Sequence, residues 1–75
     1  MTEKDKKIIE DAERDGIPIF VLTAKDVASV STLLSYKDIC KWAHCRNSHI
    51  CAVGDRIAEF IDWQRDNSDK VKLAG

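Results

Sequence analysis

Proline occurs once in this chain and glycine only three times, so its 75 residues contain few places where regular structure is forced to stop. The glycines, Gly16, Gly54 and Gly75, are scattered, which excludes a glycine-rich phosphate cradle. Cysteine also numbers three, where a secreted disulfide scaffold of this size would carry more of them, and in pairs. No apolar run approaches the roughly 18 residues of a membrane span. The opening Met-Thr-Glu-Lys-Asp-Lys-Lys has bases but no apolar stretch of the signal-peptide kind behind them. The expected location is therefore the cytoplasm, with no membrane partner. Neither sign of charge is in excess: 12 Lys and Arg stand against 13 Asp and Glu, a net charge of −1. No global field draws the chain to nucleic acid. A nucleophile elbow and a paired-carboxylate site are missing as well, so neither enzymatic activity nor a cofactor is expected.

What remains is a globular composition, 44% hydrophobic and 33% charged, in a length that allows one domain spanning residues 1–75. Residues 1–2 and 67–75 are expected to form flexible ends. A core of this size barely offsets a conformational entropy on the order of 1.5 kcal/mol per ordered residue. Small proteins meet that shortfall with disulfides, a metal, very regular packing or association.

Thr2 and Asp5 suit the start of a helix, and Ile8, Ile9 and Ala12 recur at helical spacing. Gly16 with Pro18 two residues on is a stop signal, which sets a thin-striped first helix at residues 3–15. Residues 17–24 are strand-like, a short run of β-branched and aromatic side chains between turn signals. If extended, Ile17, Ile19 and Val21 fall on one side and Phe20 and Leu22 on the other, with both faces expected to be buried.

Helix resumes after Asp26, a good N-cap, with Val27, Val30, Leu33 and Leu34 as its apolar positions. From Tyr36 the phase shifts to Ile39, Cys40 and Ala43, and Ser35 with Asp38 resembles a second capping box. A break near Ser35 is the preferred interpretation. After Asn47 and Ser48 comes the clearest amphipathic helix, from His49 to about Asp66. Its stripe holds Ile50, Val53, Gly54, Ile57, Phe60, Ile61 and Gln64, with Trp63 at the border. Gly54 there costs roughly 1 kcal/mol relative to alanine, which implies that another backbone approaches it. Val71, Leu73 and Ala74 form a tail that could lie beside residues 17–24.

Five metal-capable side chains crowd one short region: Cys40, His44, Cys45, His49 and Cys51. Tetrahedral zinc takes four such ligands, but usually two from each of two separated elements, and here all lie on one helical stretch and its turn. Buried cysteines acting as small hydrophobes are the simpler account, with a metal- or redox-responsive protein as the alternative. A helix-turn-helix is opposed by Asp55, Glu59, Asp62 and Asp66 on the outer face of the last helix, where phosphate contact wants bases.

The expected fold is mainly α with one short extended segment: three to four helices in the order α-β-α(-α)-α. The expected core is Ile17, Ile19, Phe20, Leu22, Val30, Leu33, Leu34, Ile39, Val53, Ile57, Phe60 and Ile61. A lone strand with two apolar faces needs a partner, which makes the chain a non-enzymatic interaction module. The expected partner is a second copy, or else another protein, meeting a surface at Ile17, Ile19, Val21 and Trp63.

Overall fold

Thr2 starts the first helix by accepting the Asp5 backbone N–H on its hydroxyl at 3.1 Å. In a computed structural model describing residues 2–73, that helix, α1, runs Glu3–Asp15, the span its sequence signals predict. Glu3 and Asp5 in its first turn complement the positive end of the helix dipole. It stops at Gly16 in the left-handed region (φ 68). There the Ile17 N–H reaches back to Ala12 O (2.9 Å) and the Gly16 N–H to Glu13 O (3.3 Å). These are the two bonds of a Schellman end.

α2 spans Ser29–Trp42 and α3 Asn47–Asp66; a 3-10 turn, Ser68–Lys70, follows. Among the described residues the fold is mainly α, as expected, with three helices. α2 is unbroken, so Ser35 caps nothing. The apparent change of phase has a different cause. Ser29, Leu33, Lys37 and Cys40 form one continuous inward face at helical spacing. Leu34, Ile39 and Trp42 point outward, where all three are exposed. α2 also begins two residues later than Asp26 suggested. Asp26 instead closes a turn, its carboxylate accepting the Ala28 N–H at 2.8 Å.

α2 and α3 form a helical hairpin, and α3 packs against the 3-10 turn. α1 stands further off, with none of its Cα atoms within 8 Å of one in α2 or α3. An exposed Asp5–Arg56 ion pair at 3.8 Å links it to α3. Such a pair contributes under about 1 kcal/mol. Gly54 meets not a backbone but a side chain: a Cβ built there would lie 3.1 Å from Lys37 Nζ.

The expected strand is not one. Among the described residues there is no β-strand, only an isolated parallel bridge between Asp26 and Lys72. Val27 N–H donates to Lys72 O (2.9 Å) and Lys72 N–H to Lys25 O (3.0 Å). The tail thus meets the chain just past the segment for which it was a candidate; Ala74 lies outside the described residues.

The core is smaller than the apolar pattern implies. Among the described residues, Ala12, Cys40 and Ile57 are the buried hydrophobic residues, joined by fully buried Ser29. Of the expected core, Ile57 is buried and Leu22, Val30, Leu33, Val53 and Phe60 are half-buried. Ile17, Ile19, Phe20, Leu34, Ile39 and Ile61 are exposed, because no second layer lies over the segment or over the outer side of the hairpin. The accessible surface is 6188 Å² for 8.5 kDa, where a folded monomer of that mass exposes roughly 4,700 Å². The radius of gyration, 13.7 Å, likewise exceeds the roughly 11 Å of a closed domain of this length.

Candidate functional site

The Schellman end of α1 releases the chain at Ile17, and Pro18 bars any return to helix. Residues 17–23 then run without turn or bend. Apart from half-buried Leu22, their side chains face solvent: Ile17 is 58% exposed, Phe20 86% and Val21 68%. Among the described residues, the backbone N–H groups of Ile19, Phe20, Val21 and Leu22 donate to nothing within the chain. An apolar groove of about 330 Å³ lies alongside, lined by Phe20, Val21, Leu22 and Leu73, with Lys25 and Lys72 at its end.

The segment is anchored at its far end by a side chain from α3. Gln64 Nε2 donates to Ala24 O at 3.0 Å, Asp26 O at 3.2 Å and Ser29 Oγ at 3.2 Å. That amide sits on the inward stripe, where its polarity is matched to the turn leading into α2. With the Asp26–Lys72 bridge, it holds one end of the segment in place while residues 17–23 lie open.

Trp63 is half-buried on the other side of the bridge, in a second notch of about 270 Å³ shared with Lys25, Asp69, Lys70 and Lys72. Lys25 and Lys72 line both notches, so Val21 and Trp63 flank one junction, while Ile17 and Ile19 line neither. Sequence reasoning missed Trp42, 86% exposed on the outer face of α2. The signal was present: its spacing from Cys40 sets it off the inward stripe.

The cysteine–histidine region is divided: Cys40 lies in α2, His44 and Cys45 in the turn after it, and His49 and Cys51 in α3. His44 takes a left-handed conformation (φ 57). The Cys45 N–H donates to Cys40 O (3.0 Å) and the His44 N–H to Lys41 O (3.3 Å), a second Schellman end. That motif brings the residue after the left-handed position against the one five before it, here Cys45 against Cys40. The Cys45 thiol titrates above its ordinary range, because it hydrogen-bonds Cys40 and is partly withdrawn from water. The Tyr36 hydroxyl is raised by the same Cys40 thiol and by burial. His49 is engaged elsewhere: its Nε2 lies 2.9 Å from the Tyr36 hydroxyl, the two rings edge-on with centroids 5.9 Å apart. Cys40 is buried, Cys45 half-buried and Cys51 exposed. Among the described residues, no three His, Cys, Asp or Glu side chains gather closely enough to hold a metal ion. No described helix is long and apolar enough to cross a membrane.

Comparison with protein-family models, with curated proteins and with solved structures finds no match to this chain.

Proposed function

We propose that this chain is a non-enzymatic protein-interaction module that associates with itself. The observation carrying this reading is the surface. The chain exposes about 1,500 Å² more than a closed monomer of its mass. Two copies covering that excess would bury about 3,000 Å² together, within the roughly 2,000–5,000 Å² of obligate homodimers. The excess is also of the right kind, since Ile17, Ile19, Phe20, Val21, Leu34, Ile39 and Trp42 are all exposed. Large exposed apolar patches on a small protein mark interaction surfaces. Ile17, Ile19, Val21 and Trp63 remain the residues assigned to the contact, with Phe20 and Leu73 added beside them.

Sedimentation equilibrium across a wide concentration range tests this. The expected result is a mass rising from 8.5 kDa towards twice that value. A strictly monomeric mass at the highest concentration overturns the proposal.

A further inference from the structure

Resting on that self-association, we propose that two copies join through residues 17–23, as antiparallel strands related by a twofold axis at Phe20. The segment is unbent, and its N–H groups from Ile19 to Leu22 donate to nothing within the chain among the described residues. A row of free donors and acceptors is a template for another strand. Natural edges are commonly blocked by lysine or another charge, yet residues 17–24 carry no charged side chain.

The partner is a second copy because the segment is complementary to itself. Turned about Phe20, it sets Ile19 opposite Val21 and Pro18 opposite Leu22, apolar against apolar, with Ile17 opposite the uncharged Thr23 at the ends. A twofold contact buries the same patch twice.

The register follows from Pro18. Opposed residues in an antiparallel pair alternate between exchanging two hydrogen bonds and exchanging none. Proline has no N–H, so Pro18 and Leu22 belong to a non-bonded pair, and so does Phe20 with its twin. Ile19 and Val21 are then the bonded pair, and each N–H of Ile19 and Val21 crosses to the other chain. The same parity makes Ile17 and Thr23 a bonded pair that forms only one of its two bonds, since the Ile17 N–H is already held by Ala12 O at 2.9 Å. Phe20 N–H points to the opposite edge.

This parity gives a test by chemical synthesis of three full-length chains: unmodified, N-methylated at Val21, and N-methylated at Phe20. Circular dichroism checks that the helices are intact, and sedimentation reads the dimer dissociation constant. Methylation at Val21 removes one crossing bond per chain and is expected to raise that constant at least about tenfold. Methylation at Phe20 is expected to leave it close to that of the unmodified chain. If the unmodified chain dimerises and the two methylations act equally, or neither acts, the pairing is overturned while self-association stands. An unmodified chain that stays monomeric overturns both.

Discussion

Gln64 has the most demanding position of any single side chain. It lies on a helical stripe that is otherwise apolar, and its amide nitrogen serves Ala24 O, Asp26 O and Ser29 Oγ. No buried side-chain polar atom among the described residues lacks a partner, so removing this amide creates the first such deficit. Gln64→Leu keeps the bulk and orphans the fully buried Ser29 hydroxyl. It is expected to cost about 1–3 kcal/mol, read as a lower urea midpoint; an unchanged midpoint would show that water replaces the amide freely. His44 presents the opposite case, a residue at odds with its backbone. Its left-handed φ of 57 suits glycine, its side chain is exposed, and that side chain makes no hydrogen bond among the described residues. His44→Gly should therefore stabilise the chain by roughly 0.5–1 kcal/mol in the same urea titration. A loss of stability would mean that the imidazole makes a contact that outweighs the strain.

At the level of elements, the α2–α3 hairpin is the firm part of the molecule and α1 the loose one. α1 has good caps at both ends but a thin stripe: Ala12 is buried, Ile9 half-buried and Ile8 exposed. In the hairpin, Gly54 sits in the middle of α3 with the flexible end of Lys37 over it. Gly54→Ala gains about 0.8–1 kcal/mol of helix propensity, and Lys37 Nζ can swing aside at little cost. The expected net effect is a stabilisation of roughly 0.5–1 kcal/mol, seen as a higher melting temperature. A lower one would mean that Lys37 is held in place and that the helices must part to admit the methyl group.

For the whole molecule, the governing fact is insufficient burial. With Ala12, Cys40 and Ile57 the buried hydrophobic residues and a radius of gyration of 13.7 Å, a lone chain has little to set against its conformational entropy. Under the proposed self-association, burial between copies would contribute directly to stability, and the folded population would depend on concentration. The melting temperature is expected to climb steadily when protein concentration is raised roughly a hundredfold, as mass action requires for a folding-linked dimer. A melting temperature independent of concentration would place the stability within the single chain and count against an obligate dimer.

Local chemistry was legible from the sequence wherever it acts over a few residues. Thr2 and Gly16 bound α1, and the apolar periodicity of residues 50–64 marks α3, because caps and helical spacing are set by neighbours in the chain. The apolar, uncharged character of residues 17–24 was equally plain. Its placement was not. An apolar run reads as buried only on the assumption that something covers it, and here no helix or strand of the same chain does. The end of α2 was hidden for a related reason, since His44 in a left-handed turn has no glycine to announce it. The pairing of Lys72 with Lys25 and Val27, the reach of Gln64 across to Ala24, and the outward turn of Ile39 and Trp42 depend on where distant segments pack. Sequence by itself determined that the chain is mainly helical, where α1 begins and ends, and that residues 17–24 are not helix. Tertiary structure alone decided that this segment lies open, because burial depends on what the rest of the chain leaves uncovered.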